Sequence, residues 1–275
     1  MDYLISEVDD DGIAVLTLND PDKRNAINLQ MNEEILETME MLENSGGARV
    51  VIVTGAPPAF CAGADLGDLL AARERDNIHD IYRGFLRIAH SPLPTIAAVN
   101  GAAVGAGMNM ALAADVIVAA ERAKFDSRFL QIGIHPGGGH TWRLRNKTND
   151  QTVRAMVLFG EVLDGQRAKE VGLAWACVPD DELMDHAITM ARRAASFPPR
   201  LQRLTKSAMN GLPTIDTSPQ AVEHEVKPQV QSMGSPEFQQ LVAKLQATIS
   251  SQPSGDSEDS AGSDANSEGS RPEAG

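Results

Sequence analysis

Asn100-Gly-Ala-Ala-Val-Gly-Ala-Gly-Met-Asn109 follows a predicted strand, Thr95–Val99, and runs into a predicted helix from Gly105 to Ala114. Earlier in the chain, Phe60-Cys-Ala-Gly-Ala-Asp65 follows a second short apolar strand, Val50–Val53, which ends at Thr54-Gly55. Residues this small let the main chain come close to a ligand, and each stretch can aim a backbone N–H at one oxygen. Gly105-Ala-Gly107 alone reads as tight packing of a helix on a strand. Beside Gly63-Ala-Asp65 the pair reads as an oxyanion hole. Two pre-placed donors stabilise a carbonyl oxygen that gathers negative charge, by roughly 3–4 kcal/mol per donor. A helix starting near Ala106 adds the positive end of its dipole.

Outward from these stretches the chain repeats a unit. Leu4–Val8 and Ile13–Leu18 alternate as two strands, joined by an Asp-Asp-Asp-Gly turn at Asp9–Gly12. From Asn28 to Leu42 the residues Leu29, Met31, Ile35, Leu36, Met39 and Leu42 recur at helical spacing, with Asn28 as N-cap. Val50–Val53 completes strand, strand, helix, strand. The pattern recurs in helix Ile78–Ala89, stopped by Ser91-Pro-Leu-Pro94, strand Thr95–Val99, helix Gly105–Ala114 and strand Val116–Ala119. Arg154–Phe159 reads as helical, Val171–Val178 as extended and Asp181–Ala195 as helical. Past Phe197-Pro-Pro199 only helices are expected, at Leu201–Met209, Ala221–Met233 and Pro236–Ile249. The expectation is an α/β core over residues 1–195 and a helical extension over 196–250, divided near Ser196.

The formal charge of −14 argues against a nucleic-acid partner, whose phosphates need a basic surface. Residues 251–275 hold six acids against Arg271, a net of −5, which leaves −9 on the first 250 residues. That acidic segment lacks large apolar residues and is expected to be disordered. A solubilising extension is the simpler reading of it than an interaction arm. No apolar run is long enough to span a bilayer, and Met1-Asp-Tyr-Leu-Ile-Ser-Glu7 has no signal-peptide core. A cytoplasmic protein without a membrane partner is expected. The two cysteines, Cys61 and Cys177, make neither a disulfide framework nor a thiolate metal site, and Cys61 is read as a buried small filler. A Walker-type loop, an HExxH pair and an EF-hand loop are all missing, and no nucleophile-elbow sequence supports Ser-His-Asp catalysis. His135 and His140 are too few for a metal site.

Along most of residues 1–250 the chain resembles the enoyl-CoA hydratase/isomerase (crotonase) superfamily. Four segments carry the resemblance: Asn19–Ile27, Ala59–Leu66, Pro94–Gly107, and Phe125–Leu144 with Gly133-Ile-His-Pro-Gly-Gly-Gly-His-Thr-Trp-Arg-Leu144. Each alone is weak; all four in order are strong. The resemblance implies a spiral of ββα units with a C-terminal helical extension. It implies an acyl-CoA or enoyl-CoA thioester as substrate, in acyl-CoA metabolism, with no cofactor beyond the CoA moiety. It makes Ala64 and Ala106 the oxyanion donors. Ala26, Ala62, Gly63, Asp65, Leu66, Gly105 and Gly137 then line the CoA and acyl path, with Asp65 bracing its own loop. Lys23 and Arg24 are expected at the adenosine phosphates, and Lys244 is expected to reach phosphate from a neighbouring subunit. Arg143, Arg145 and Lys147 read instead as a solvated stripe. Helix Ile78–Ala89, with Ile81, Tyr82, Phe85 and Leu86, is a candidate wall of the acyl tunnel, its default reading being core. The resemblance also implies a homotrimer, often paired into a hexamer through residues 197–250.

The resemblance places two catalytic glutamates at the positions of Asn109 and Phe129. An amide holds water but is no useful base near neutrality, and phenylalanine offers neither proton nor acceptor. Ordinary two-glutamate hydration is therefore not expected. Asp126, Ser127, His135 and His140 are the candidate substitutes, with His135 favoured over Asp126 and His140 last, since His140 reads as solvent-facing or as a helix cap. The expected function is a family-type lyase that stabilises a thioester enolate. A non-catalytic acyl-CoA binding protein and a CoA-thioester decarboxylase or C–C lyase remain as alternatives.

Overall fold

The computed structural model describes residues 3–74 and 77–250. Two compact units divide after Pro228. The first begins with β1 (Leu4–Val8), β2 (Ile13–Leu18), α1 (Leu29–Ser45), β3 (Val50–Gly55), α2 (Leu66–Glu74), α3 (His79–Ala89) and β4 (Thr95–Val99). It continues through β5 (Ala102–Val104), α4 (Ala106–Ala113), β6 (Val116–Ala120), β7 (Lys124–Asp126), α5 (His140–Lys147) and α6 (Asp150–Leu158). β8 (Leu163–Asp164), α7 (Gly165–Glu170), β9 (Ala176–Val178), α8 (Leu183–Ala195), α9 (Pro199–Gly211) and most of α10 (Ser218–Met233) complete it. The second unit holds the last residues of α10 and α11 (Pro236–Ser250). The helical run starts close to the expected boundary at Ser196, whereas the division between compact units falls later, inside α10. The acidic segment 251–275 lies outside the described residues.

Six strands form one sheet in the order β1-β2-β3-β4-β6-β9. β1 and β2 pair antiparallel, Leu4 opposite Leu18, and the other neighbours pair parallel. Both faces are covered, which explains the unbroken apolar strings in the central strands. Val51 and Val53 of β3 and Ala97 and Val99 of β4 turn to the core that holds Met31, Ile35, Met39 and Leu42 of α1. The alternate residues Val50, Ile52, Ile96 and Ala98 turn to Leu183, Ala187, Ala191 and Ala195 of α8. Each large side chain buried this way contributes about 1.5–3 kcal/mol. Asn28 caps α1 as expected, its side chain accepting from Met31 N at 2.8 Å.

A second sheet of three short strands, β5-β7-β8, stands apart from the first. β5 and β7 run parallel, with Val104 opposite Asp126. One expected element is corrected. Val171–Val178 is not extended throughout: Val171 caps α7, Gly172 turns left-handed at φ +83°, and only Ala176–Val178 joins the sheet. Two of the three cations expected on a solvated stripe are also corrected. Lys147 Nζ lies 2.8 Å from Ala114 O and 3.1 Å from Asp115 O, and Arg143 binds Gly138 O and stands over the Phe85 ring. Their alkyl stems cover the core while the heads satisfy carbonyls left over where α4 ends and the glycine loop turns.

Candidate active site

The site grows from the carboxyl ends of β3 and β4, the place where an open parallel sheet offers a crevice. Asn100, just past β4, ties the two ends together: its Nδ2 donates to Gly55 O at 2.7 Å and its Oδ1 accepts from Gly55 N at 3.3 Å. Three loop segments then line up side by side. Cys61 N donates to Ala102 O at 2.9 Å, and Val104 N donates to Cys61 O at 3.0 Å. On the other side Ala62 N donates to Arg24 O, Ile27 N to Gly63 O and Asp65 N to Ile27 O, all at 2.8–2.9 Å. The stretch Cys61–Asp65 is thus held between residues 24–27 and 102–104 by main-chain bonds alone.

Two glycines make this approach possible. Gly63 is left-handed at φ +115°, and a Cβ there would come within 3.1 Å of Val104 O. A Cβ on Gly107, in the first turn of α4, would meet Cys61 O at 2.1 Å, so the helix start touches the neighbouring backbone directly. Among the described residues, neither Ala64 N nor Ala106 N donates to the protein. Ala106 is the first residue of α4, where helix N–H groups have no partner within the helix. Cys61 is fully buried beneath them; burial pushes its thiol up to about 12, which keeps it protonated and inert.

The residues expected at the CoA path are placed as follows. Asp65 accepts from Gly67 N and Asp68 N at the start of α2, and from Lys23 Nζ at 3.0 Å. The Lys23 hydrogen bond holds its carboxyl below the usual range and raises the Lys23 ammonium in turn. Asp65 braces its loop, and Lys23 is engaged with it at the surface. Arg24 is exposed and left-handed at φ +54°, followed by buried Asn25, whose Nδ2 lies 2.7–3.2 Å from the carbonyls of Ala56, Ala59 and Phe60. Ala26 and Ala62 are half-buried on the same ladder, and Leu66 is exposed at the start of α2. Lys244 is exposed on α11, in the second unit.

Around Asn109 the structure departs from the expected ranking of substitutes. His140, ranked last and expected near solvent, is 1% exposed. Its Nδ1 lies 2.8 Å from Asn109 Oδ1 and its Nε2 lies 2.8 Å from Ser127 Oγ. Burial, and then the Arg143 guanidinium, push its imidazole down to about 4, so the ring is neutral at pH 7. Phe129 packs edge-on against it, with ring centroids 4.8 Å apart. Asn109 Nδ2 donates to Gly137 O at 3.1 Å. Tyr82 and Phe85 of α3 close over the same loop, for a Cβ on Gly137 would meet Tyr82 Oη at 2.3 Å and one on Gly138 would meet Phe85 Cζ at 2.5 Å. Burial raises the Tyr82 phenol, opposed by the Gly138 amide.

The two favoured substitutes are corrected. His135 is exposed, with Nδ1 2.8 Å from Pro136 O in its own loop, because the chain turns it outward before Gly137 turns in. Asp126 is buried, but its carboxylate is taken by Arg128, through the backbone N at 2.9 Å and the guanidinium Nε at 2.8 Å. The grouping of Ser127 and His140 on Asn109 had no signal in residue spacing, since the three lie on separate elements and only burial joins them.

The model of the family Enoyl-CoA hydratase/isomerase matches residues 9–245. The chain belongs to that family. It is 40% identical over 245 residues to a probable enoyl-CoA hydratase of Mycobacterium tuberculosis, covering 86% of this chain and 95% of the relative. It is 34% identical over 230 residues to the 1,2-epoxyphenylacetyl-CoA isomerase of Escherichia coli K12, covering 79% of this chain and 86% of the relative. A solved enoyl-CoA hydratase from Bacillus anthracis superposes with a TM-score of 0.83 at 28% identity, over 90% of this chain and 96% of that one. The expected crotonase-type α/β fold with C-terminal helices is therefore the fold observed. Among the described residues, no helix of this family member is long and apolar enough to cross a membrane.

Proposed function

We propose that this protein binds acyl-CoA thioesters and stabilises the thioester carbonyl as it becomes an oxyanion, between Ala64 N–H and Ala106 N–H. One observation carries the reading: two segments leaving neighbouring parallel strands are pinned together by the Cys61 bonds to Ala102 and Val104, and the two amides flanking that seam have no partner among the described residues. Preorganised donors of this kind stabilise developing charge without reorganising at the moment of reaction. Family membership supports a CoA thioester as the ligand. Gly105, Gly137 and the Tyr82–Phe85 face of α3 border the acyl end, and Arg24 is the cation left for phosphate near Ala26.

The groups around Asn109 argue against two-carboxylate hydration. Asn109 sits among neutral hydrogen bonds and Phe129 presents a ring, so neither supplies a base for water. Wild type is expected to hydrate crotonyl-CoA far below about 10 s⁻¹, the middle of the enzyme range. The double variant Asn109→Glu/Phe129→Glu is expected to gain hydration by about 10²-fold or more, the usual worth of a positioned acid–base group. Wild-type hydration at ordinary rates, read by loss of the enoyl absorbance, refutes this part. The same neutrality favours a second reading, a protein that binds acyl-CoA without turning it over. Under that reading calorimetry finds tight acyl-CoA binding and every thioester is recovered intact.

A trimer-based assembly is part of the proposal, with the C-terminal helices as its contact. α9 and α10 expose Leu201, Met209, Val222 and Val226, and α11 exposes Leu241 and Leu245, apolar side chains that association would cover. Light scattering is expected to give three or six chains per particle; a monomeric mass removes the claim.

A further inference from the structure

Ser127, His140 and Asn109 form one buried hydrogen-bonded line drawn from the end of β7, the start of α5 and the first turns of α4. Their partners fix the protons. Gly137 O can only accept, so Asn109 turns its Nδ2–H to it and its Oδ1 to His140. Oδ1 can only accept, so His140 carries its proton on Nδ1. Nε2 is then a lone pair, and Ser127 Oγ–H donates to it. Hydroxyl to imidazole to amide is the order of a nucleophile, its base and the group that orients the base.

Two further observations place the main chain of Ser127 beside the second oxyanion segment. Asp126 pairs with Val104, and Gly105 N donates to Asp126 O at 2.9 Å. Ser127 is the next residue, so it leaves the small sheet beside Gly105 and Ala106. It also sits on a constrained turn: Arg128 is left-handed at φ +45°, and Phe129 N donates to Ser127 O at 2.6 Å. The buried Asp126 carboxylate holds Arg128 in that conformation. A non-glycine residue kept left-handed by its neighbours is a form of strain concentrated at functional sites. The Phe129 ring shields the imidazole on one side.

We infer that Ser127 is the nucleophile in hydrolysis of a CoA thioester, with His140 as its base and Asn109 as the orienting group. The inference rests on the thioester reading of Ala64 and Ala106. Ser127 Oγ attacks the carbonyl carbon while its proton passes to His140 Nε2, and the carbonyl oxygen becomes an oxyanion facing the two amides. The C–S bond then breaks, the sulfur leaves with the Nε2 proton as free CoA, and the acyl group remains as an ester on Ser127. Water attacks that ester, Nε2 takes its proton and returns it to Oγ, and a carboxylic acid departs. No redox partner is needed.

The test uses the full chain with butanoyl-CoA and octanoyl-CoA, saturated thioesters that have no double bond to hydrate. The expected result is protein-dependent release of free CoA thiol, and an acyl adduct on the Ser127 peptide after acid quench. Ser127→Ala and His140→Gln each lower thiol release about 100-fold or more, while calorimetric affinity for butanoyl-CoA in Ser127→Ala stays within about threefold. Ser127→Cys, which keeps a nucleophile, still acquires the label and covers the case in which the alanine variant folds poorly. Wild type that binds butanoyl-CoA yet releases no thiol above the protein-free rate overturns the inference and leaves the oxyanion reading standing. So does Ser127→Ala that hydrolyses as fast as wild type. Failure of both thioesters to bind at all overturns the oxyanion reading, and this inference with it.

Discussion

Gly107→Ala is expected to lose about 3 kcal/mol of stability and most acyl-CoA affinity. The added Cβ would stand 2.1 Å from Cys61 O and 2.7 Å from Cys61 C, both main-chain atoms. No side chain can swing aside to make room. Either α4 slides away from Cys61 or the Cys61–Ala102 ladder opens, and overpacking of this kind costs about 1–3 kcal/mol or more. Both movements separate Ala64 N from Ala106 N, so the binding loss should exceed what the stability loss alone explains. Gly47→Ala is the control, since a Cβ there has only Ser45 Oγ near it, at 3.9 Å. Denaturant midpoints and calorimetric titration with butanoyl-CoA measure both effects. A Gly107→Ala protein as stable and as tightly binding as wild type contradicts the contact between α4 and Cys61.

His140→Gln is expected to flatten the acid side of the stability curve. The imidazole is held at about 4 in the folded chain, against 6.5 as the ordinary value. Between those two pH values the unfolded chain binds a proton that the folded chain refuses. Stability from this group is therefore complete above about 6.5 and is lost as pH falls through about 4, by roughly 3 kcal/mol. The groups that touch the ring, Ser127 Oγ, Asn109 Oδ1 and Phe129, do not titrate in this range, and Arg143 stays cationic throughout. The variant loses hydrogen bonds at pH 7, yet its disadvantage should shrink by those ~3 kcal/mol on going to pH 4. Urea titrations of both proteins at pH 4, 5, 6 and 7 read the difference directly. Parallel curves would mean that His140 titrates normally, in contact with water.

Much of the frame was legible in the chain. β1, β2 and β4 have the expected limits, because alternation in the first two and a short apolar run after Ser91-Pro-Leu-Pro94 in the third define a strand locally. The N-cap at Asn28 and the start of α1 follow from a side chain that satisfies its own helix. The three strands of the small sheet were not legible. Ala102–Val104, Lys124–Asp126 and Leu163–Asp164 are too short to show a period, and they are strands only because each finds its neighbour. α2 escaped for a related reason: Leu66 and Leu70 are 65% and 64% exposed, so no apolar face marks it.

The site divides along the same line. The sequence by itself determined the main-chain part, because glycine and alanine at 63–64 and 105–107 act through what they lack, and a missing side chain is visible in the letters. It also determined that positions 109 and 129 carry an amide and an aromatic ring. Only the tertiary structure decided what stands beside them. His135 and His140 are five positions apart, the first in a loop and the second opening α5, yet the chain turns the first to water and buries the second between Asn109 and Ser127. Whether a polar group can serve as base, nucleophile or orienting partner depends on which atoms lie within hydrogen-bond reach and how much water remains. Both are set by segments that lie far apart along the chain and meet only when the two sheets and α4 pack.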